Sequence, residues 1–411
     1  MKANKLDIIF FPFHDWKRCE KGGFRTRDAH LIQCFEKDPL VRKMLIIDRP
    51  TSIPEMLFKK YWWRVKNGKV IAKKMNVCLT HVSEKIYVLD ILSLDLIRPI
   101  FLKRLWWDYI FRQTAIIKEV NKAIKNIDLD NKILFMWYPF AMGVVGKIGE
   151  KLFVYDAMDN WVRHPEMRDI HKELGKISQR IKKEADLIFT VSKRLRNIMD
   201  TGWSNVFFIP NGVGINFIDS YQNKKIPNDL RSIPRPIIGY AGNLAQRISV
   251  ALLTFLSSQL PDVSFVLIGQ ILNRKWIKPL FKLNNIYFLG NKHYSLLRDY
   301  LLGFDICMIP HNVGELENDG DPIKLYEYLA AGKPVVTTNI AGVYVFKEII
   351  AIAKTKEEFL DGIKRYIQIL KRGEDISQKL KESISPSCYW SNKAHKMINL
   401  IIEKWKERDE L

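Results

Sequence analysis

The sequence has few cysteines, and their spacing does not suit a metal. Five are present, Cys19, Cys34, Cys78, Cys307 and Cys388, an odd number spread along 411 residues. There is no CxxC pair and no Cys/His spacing typical of a zinc site. Disulfide-stapled secreted folds and zinc modules are therefore disfavoured, and a reduced, cytosolic setting is the expectation.

Long apolar runs are also missing. The first residues hold only the run Ile8 to Phe13, which is too short for a signal peptide. No later run reaches the roughly 20 apolar residues that a membrane-spanning helix needs. Short internal repeats and low-complexity tracts do not occur. With 47% hydrophobic residues, the chain is expected to be globular and long enough for two domains.

Acidic residues are in deficit. Asp and Glu number 45 against 66 Lys and Arg, which gives a formal net charge of +21. Such a charge attracts polyanions, among them nucleic acid, an anionic membrane surface or an anionic substrate. Charge alone does not choose among these partners.

One stretch without any acid is rich in tryptophan. Residues 57–75 carry seven Lys or Arg around Trp62 and Trp63. The cations are Lys59, Lys60, Arg64, Lys66, Lys69, Lys73 and Lys74. A second basic stretch, residues 98–113, surrounds Trp106 and Trp107 with Arg98, Lys103, Arg104 and Arg112.

Both stretches suit docking on an anionic membrane surface. Trp settles at headgroup depth, and each Lys or Arg near anionic lipid contributes about 1 kcal/mol. Nucleic acid could use the same residues for base stacking and phosphate contacts, but no nucleic-acid module is recognisable, so none is expected as a partner. The alternative is that the tryptophans face the core and the lysines only cover the surface.

Strands and helices alternate along the chain, which predicts an α/β fold. A buried strand over Leu6 to Phe11, a loop with Gly22 and Gly23 and a helix from about Arg25 begin the pattern. A polar, proline-containing segment over residues 211–236 is the predicted linker, and the alternation resumes after it.

The organising stretch is ENDGDPIKLYEYLAAGKPVVTT, residues 317–338. Its acidic loop leads to Pro322, a helix is predicted to end near Gly332, and a buried strand follows. A helix start attracts phosphate, and Lys324 adds a full charge in the first turn. Glu327, one turn further, can accept hydrogen bonds from sugar hydroxyls.

Asp319, Pro322, Lys324, Glu327 and the run EYLAAGKPVV resemble the donor-binding motif of glycosyltransferases with the GT-B fold. In that family two acids separated by seven residues bracket the nucleotide sugar, and the second binds the ribose. Asp319 and Glu327 have this spacing. The first acid is usually glutamate, so Asp319 is a departure from the family pattern.

The resemblance implies two Rossmann-like domains facing a central cleft. The implied domains are residues 1–215 for the acceptor, residues 216–388 for the nucleotide-sugar donor, and a terminal helix, residues 389–411, that crosses back to the first domain. A carbohydrate or lipid-linked acceptor is implied, as in enzymes of the polysaccharide and teichuronic acid type. The expected location is the cytoplasm, at the inner face of the cell membrane.

Neither metal nor cofactor is expected, because no DxD-like carboxylate pair follows a strand in the second domain. In IIGYAGN, Gly242 offers close backbone approach to a diphosphate, and Arg247 is the nearest basic residue after that turn. Gly22 and Gly23 resemble the glycine-rich first loop of the family. A tight turn between strand and helix is the alternative explanation for Gly242, and a plain mobile loop is the alternative for Gly22 and Gly23.

An inverting transfer needs a base within reach of the acceptor hydroxyl. Asp156 and Asp159, in YDAMDNW after a predicted strand, are the candidates, with Asp159 preferred because it is nearer the loop tip. Capping and loop hydrogen bonds are the alternative for both. His14 and His164 are interpreted as structural groups.

Residues after the strand ICMIP lie where donors bind. His311 and Asn312 stand there, and Asn312 or Glu315 is a candidate sugar contact. Two other functions stay open. One is a binding protein on a GT-B scaffold without catalysis, docking on membrane or nucleic acid, and the other is a GT-B nucleotide-sugar epimerase. The sugar, nucleotide, acceptor and stereochemical course are not specified by the sequence.

Overall fold

The computed structural model describes residues 5–58, 62–202, 204–218, 225–314 and 319–409. They form two compact units, one made of Met1–Ile209 with Lys393–Leu411 and the other of Pro210–Asn392. Part of the expected linker, residues 219–224, lies outside the described residues.

The first unit is built on a mixed sheet. Its described strands are β1 (Leu6–Phe11), β2 (Val41–Ile47), β3 (Thr51–Ser52), β4 (Lys69–Lys73), β5 (Val77–His81), β6 (Ile86–Ser93), β7 (Lys132–Met136), β8 (Leu152–Ala157), β9 (Leu187–Thr190) and β10 (Val206–Phe208). They are ordered β10-β9-β8-β7-β1-β2-β6-β5-β4, with β3 beside β6. β1 is buried along its whole length and lies parallel to both β2 and β7, as a central strand should.

Helices pack on this sheet. They are α1 (Trp16–Gly22), α2 (Arg27–Lys37), α3 (Ile53–Phe58), α4 (Arg98–Leu102), α5 (Leu105–Phe111), α6 (Thr114–Asn126), α7 (His171–Glu184) and α8 (Lys193–Met199). Ser192 caps α8 by accepting a hydrogen bond from the Leu195 amide, 3.1 Å away, as its sequence position predicts. α1 was not expected, because the sequence pattern suggested one loop from β1 to α2.

The two basic, tryptophan-containing stretches contribute to the core. Trp63 and Trp106 are buried, and Trp107 packs against the core with the Arg49 guanidinium 4.6 Å from its ring. Trp62 is exposed, at 49%. For three of the four tryptophans the alternative interpretation is therefore correct, because the apolar rings fill the space between sheet and helices. Lys59 and Lys60 lie outside the described residues.

The second unit is a parallel sheet. Its described strands are β11 (Ile237–Ala241), β12 (Ser264–Ile268), β13 (Ile286–Gly290), β14 (Ile306–Ile309), β15 (Val335–Thr338) and β16 (Ala351–Ala353). They are ordered β13-β12-β11-β14-β15-β16. This is the strand order of doubly wound nucleotide-binding folds. The chain adds strands on one side of β11 up to β13, and then returns to add β14, β15 and β16 on the other side of β11.

Helices cover both faces of this sheet. They are α9 (Asn228–Arg231), α10 (Val250–Gln259), α11 (Arg274–Ile277), α12 (Leu297–Gly303), α13 (Ile323–Ala330), α14 (Lys356–Lys371) and α15 (Ser377–Glu382). α13 begins directly after Pro322, in agreement with the predicted order of loop, proline and helix. Gly332, just beyond its end, has a φ of 69°, the left-handed conformation expected of a residue that closes a helix.

The terminal helix α16 (Trp390–Asp409) packs on the first unit, as predicted. Five of its buried apolar residues, Ala394, Met397, Ile398, Ile401 and Trp405, recur at helical spacing and form one apolar stripe. Polar contacts fix its ends. His395 lies 2.9 Å from the Asp38 carboxylate, and Arg408 donates to Asp186 at 3.0 Å. None of the described helices is long and apolar enough to cross a membrane.

Gly239 lies in the middle of β11, where Phe304 packs against its Cα. A Cβ at this position would stand 2.0 Å from the Phe304 ring, so Gly239 is required for packing. We expect Gly239→Ala to lower the free energy of unfolding by about 1–3 kcal/mol or more, measured by urea denaturation. Gly175→Ala, in α7 with no atom within 4 Å, is the control and should raise it by roughly 0.5–1 kcal/mol. Equal stability of the two variants would contradict this packing.

Candidate active site

The second sheet reverses its order between β11 and β14. Ligands of open α/β sheets bind outside the carboxyl ends of the strands at such a reversal. Here β11 ends at Ala241 and β14 ends at Ile309, so the loops that start at Gly242 and Pro310 border the crevice.

Gly242 permits a close backbone approach. Its amide donates to the Ile268 carbonyl at 2.8 Å, and its own carbonyl oxygen stands 1.9 Å from where a Gly269 Cβ would be. A Cβ on Gly242 would lie 2.7 Å from the Tyr240 hydroxyl and 3.1 Å from Lys324 Cε. The absence of a side chain at Gly242 thus leaves room beside Lys324.

Lys324 lies in the first turn of α13, after the N-cap residue Pro322. It is half-buried, and its ammonium group is 5.4 Å from the centre of the Tyr240 ring. Tyr240 comes from β11 and Lys324 from α13, so the reversal point and the helix start meet here. A full positive charge and the amide groups of a helix start are thereby brought to the same place.

His311, which follows β14, is the residue that sequence reasoning undervalued. It is buried, and its Nε2 lies 3.2 Å from the Tyr240 hydroxyl. Burial, together with the charges of Lys324 and Arg247, holds the pKa of His311 well below its usual range. The imidazole is therefore neutral near pH 7 and supplies a hydrogen-bonding group without adding charge. The sequence signal that could have identified His311 as a site residue is its position directly after a buried strand.

Arg247 is exposed on the loop between β11 and α10, and this loop is fixed from behind. Asn312 donates from its backbone amide to the Arg247 carbonyl at 2.7 Å and from its side chain to the Gln246 carbonyl at 2.6 Å. Asn312, expected as a sugar contact, thus holds the loop that carries Arg247. The other expected contact, Glu315, lies outside the described residues.

Glu327 lies one turn beyond Lys324 and is buried. The Tyr294 hydroxyl donates to its Oε1 at 2.6 Å. Burial raises the pKa of Glu327 to about 7, although the Tyr294 hydrogen bond and the Lys324 charge pull it down. Tyr294 was not predicted, because it lies 33 residues away in sequence in a short 3-10 helix.

In the acidic loop before α13, Asp321 makes the hydrogen bonds that hold the backbone. Asp321 accepts from the Asn211 amide at 2.6 Å and from the Tyr326 hydroxyl at 3.1 Å. Asp319 is 1% exposed. Glu317 and Asn318, the preceding members of the motif, lie outside the described residues.

Of the two candidate bases in the first unit, Asp156 is fully buried in an ion pair. It accepts hydrogen bonds from Arg27 at 2.8 and 3.0 Å and from the Trp137 indole at 2.6 Å. Arg27, the first residue of α2, is engaged by this carboxylate. The pair ties α2 to the end of β8.

Asp159 lies on the loop after β8 and is half-buried. It borders a cavity of about 220 Å³ whose walls include Tyr155, Trp161, Leu174 and Leu195. The cavity is largely apolar with a polar rim. The structure therefore gives the two aspartates different surroundings, because Asp156 is paired with Arg27 and Asp159 borders a cavity.

Gly22 and Gly23 end α1, and Gly23 has a φ of 81° that suits this helix end. Nearby, His14 follows β1 and its Nδ1 is 3.1 Å from both oxygens of Asp28. Burial would raise the pKa of Asp28, but His14 and Thr26 lower it overall. The contact fixes the orientation of the His14 ring at the point where the first sheet also reverses, between β1 and β7.

Buried charges at this end of the first sheet are matched to one another. Lys17 donates to Asp48 and to Asp90, each at 2.8 Å, and Arg49 donates to Asp15 at 3.0 Å. Burial raises the pKa of Asp48 to about 7, with Lys17 opposing it. Among the described residues there is no group of three or more His, Cys, Asp and Glu that could hold a metal ion.

Residues 235–368 match the family described as Glycosyl transferases group 1. The similarity concerns this part of the chain, which is about a third of its length. This part contains every second-unit residue described above from Gly242 to Glu327.

Sequence similarity extends to one bacterial protein involved, by its name, in teichuronic acid biosynthesis. TuaH of Bacillus subtilis is 27% identical over 203 residues, which are 46% of this chain and 50% of TuaH. The match thus spans half the length of that relative. The group 1 assignment and this distant similarity agree with the resemblance seen in the motif.

Solved structures share the fold of the chain. HepE of Anabaena in complex with UDP has a TM-score of 0.66 at 14% identity, covering 97% of this chain and 100% of HepE. Sucrose-phosphate synthase of Thermosynechococcus elongatus has a TM-score of 0.69 at 12% identity, covering 98% and 100%. At these identities the likeness concerns the fold alone, and it confirms the predicted GT-B fold.

The raised pKa of Glu327 predicts a pH-dependent stability. Between about pH 4.5 and 7 the folded state keeps a proton on Glu327 that the unfolded state has lost. The protonated carboxyl therefore contributes to the free energy of unfolding below pH 4.5, and this contribution is lost as pH rises to 7. Glu327→Gln removes this pH dependence, because the amide does not titrate. We expect the unfolding free energy of the Gln variant, relative to wild type, to rise by up to about 3 kcal/mol between pH 4 and pH 8.

Urea denaturation at several pH values measures this difference. Tyr294→Phe serves as the matched variant, because it deletes the hydrogen bond that lowers the pKa of Glu327. In this variant, the fall in the free energy of unfolding with pH should occur at a higher pH. A constant difference between Glu327→Gln and wild type across this range would contradict the assignment.

Proposed function

We propose that the protein is a glycosyltransferase that moves a sugar from a nucleotide-sugar donor to an acceptor hydroxyl. The observation that carries the proposal is the convergence of Gly242, His311 and Lys324 on Tyr240 at the reversal point, with Glu327 one helical turn away. Backbone access, positive charge and a hydroxyl-accepting carboxylate are what a nucleotide diphosphate sugar requires.

Lys324 and Arg247 would neutralise the diphosphate. In the transfer the bond between the anomeric carbon and the diphosphate oxygen breaks, and the negative charge on the leaving group grows. Cations and helix-start amides positioned at that oxygen stabilise the transition state more than the ground state. His311, being neutral, adds hydrogen bonding there without repelling Lys324.

Glu327 would bind the ribose of the nucleotide. Tyr294 occupies Oε1, which orients the carboxylate while its other oxygen can accept from a sugar hydroxyl. The ionised carboxylate of Glu327 accepts hydrogen bonds more strongly than the protonated form, and the ionised fraction increases as pH rises through about 7. Donor affinity should therefore increase across that range.

A uridine diphosphate sugar is the donor we propose. Its support comes from structures of the same fold that contain UDP, such as HepE of Anabaena, and a trehalose-6-phosphate structure from E. coli bound with UDP-2-fluoro glucose. The latter has a TM-score of 0.65 at 12% identity and covers 97% of this chain and 99% of its own. A thermal-shift screen of nucleotide sugars tests the choice, because a ligand of the native state raises the melting midpoint.

The acceptor we propose is a carbohydrate or lipid-linked sugar used in cell-surface polysaccharide or glycolipid synthesis at the inner face of the cell membrane. The name of TuaH supports this class. If transfer inverts the anomeric carbon, Asp159 is the favoured base, since it borders a cavity whereas Asp156 is paired with Arg27. The hydroxyl proton would pass to the carboxylate as the acceptor oxygen bonds to the sugar.

Removing the donor-binding groups should abolish transfer. We expect Lys324→Ala and Glu327→Ala to lower kcat/KM by roughly 100-fold or more, because each deletes a charged contact. Release of UDP from the donor, measured with a coupled assay, is the readout. Lys347→Ala, an exposed lysine of the same unit, is the control and should behave as wild type. Wild-type turnover in both site variants would refute the proposed function.

The two aspartates can be separated by stability. Asp156→Ala should lower the free energy of unfolding by about 3–5 kcal/mol, because it leaves Arg27 buried without its carboxylate. Asp159→Asn should leave the melting temperature unchanged and lower turnover at least 100-fold if it is the base. Unchanged turnover in folded Asp159→Asn would remove Asp159 from the mechanism.

Product analysis separates transfer from epimerisation, which needs no acceptor.

A further inference from the structure

We propose that the carboxyl end of β6 forms a docking surface for an anionic phospholipid bilayer. We name it the β6-end surface and define it by Phe58, Met75, Leu96, Ile97, Ile100 and Phe101. The inference rests on the proposed function for its purpose, since it would bring the first unit to a lipid-linked acceptor. None of these residues is among the four tryptophans that the sequence analysis suggested for membrane docking.

Three separate segments meet at this end of the sheet. β3 runs parallel to β6 and pairs Thr51 with Leu92 and Ser52 with Ser93. The segments that follow these strands, α3 and residues 94–101, therefore leave the sheet side by side. The turn between β4 and β5 joins them, because Asn76 exchanges hydrogen bonds with the backbone of Leu92 at 2.8 and 3.2 Å.

The side chains at this end are unusually exposed for their type. Phe58 is 86% exposed, Met75 79% and Phe101 78%, and the other three expose more than half of their surface. Exposed apolar residues scattered singly need no explanation, but a contiguous group indicates an interaction site. Here the group is gathered from three segments onto one end of one sheet.

The scaffold under these side chains is fixed. Leu102, at the end of α4, packs against the core, and the Arg98 guanidinium lies 5.1 Å from the Tyr109 ring of α5. Asp95 accepts from the amides of Ile97 and Arg98 at 3.2 and 3.1 Å, which holds the turn into α4. Ile100 and Phe101 are therefore presented outward by an anchored helix.

The surrounding charge selects the partner. Arg98 and Lys103 flank the apolar residues of α4, and Lys73 lies two residues before Met75, all three exposed. The nearby acid Asp95 accepts hydrogen bonds from the turn and from the Arg98 guanidinium, the latter at 3.4 Å. Apolar side chains ringed by cations match an interface of acyl chains and anionic headgroups. A second copy of the chain would carry the same positive charge, and four of the six apolar side chains are not aromatic and do not stack on bases.

Vesicle co-sedimentation of the full chain tests the surface. We expect binding to vesicles of equal parts phosphatidylcholine and phosphatidylglycerol, and much weaker binding to phosphatidylcholine alone. The double variant Ile100→Ser with Phe101→Ser should bind the mixed vesicles at least tenfold more weakly, since two apolar side chains no longer insert. Lys73→Glu should weaken binding to the mixed vesicles and lessen its sensitivity to salt.

Val345→Ser with Leu272→Ser is the matched control, because both residues are exposed and apolar but lie in the second unit. It should bind as wild type. Equal vesicle binding by the two double variants, each with a wild-type melting temperature, would overturn the proposal. So would a wild-type dimer that the Ile100/Phe101 variant alone abolishes, or duplex DNA binding that this variant alone loses.

A separate measurement distinguishes failure of this inference from failure of the proposed function. UDP binding by calorimetry needs no membrane and should be the same in wild type and in the Ile100/Phe101 variant. If wild type binds vesicles but not UDP, the docking surface stands and the proposed donor falls. If it binds UDP but not mixed vesicles, the docking surface falls and the donor site stands.

Discussion

The reversal of strand order beside β11 is the constraint on which the rest of the second unit depends. A chain that builds a parallel sheet outward in both directions from one strand must leave a crevice at the carboxyl ends of β11 and β14. Beside that crevice, the loop after β11 approaches the loop after β12 so closely that the Gly242 carbonyl occupies the space of a Gly269 side chain. A side chain at Gly269 is therefore excluded, and the absence of one at Gly242 leaves room beside Lys324.

Tyr240 turns this crevice into an electrostatic site. Its ring lies beneath the Lys324 ammonium and its hydroxyl contacts His311, so one residue of β11 bridges the helix start and the end of β14. Three basic side chains near each other would repel if all were charged. Burial lowers the pKa of His311 and relieves this repulsion. The same burial raises the pKa of Glu327, which makes its ionisation responsive to pH near neutrality.

Local signals in the sequence predicted part of this arrangement. β1 and α13 follow from apolar runs and from Pro322 and Gly332, which act within a few residues. Pairings between distant segments could not be predicted, because Arg27 meets Asp156 across 129 positions and Tyr294 meets Glu327 across 33. A tryptophan between lysines likewise suits a core or a surface equally well, since the pattern does not specify which face packs.

The charged side chains at the ends of the two sheets are arranged differently in the two units. In the first unit, burial is offset by pairing, so that Lys17 lies between Asp48 and Asp90, and Arg27 is held by Asp156. Such pairs fix loops but leave little field for a ligand, because each charge is cancelled nearby. In the second unit, Lys324, Arg247 and a neutral His311 are gathered toward one point. The first unit therefore offers shape and apolar surface, at the Asp159 cavity and the β6-end surface, while the second offers the field that an anionic donor requires.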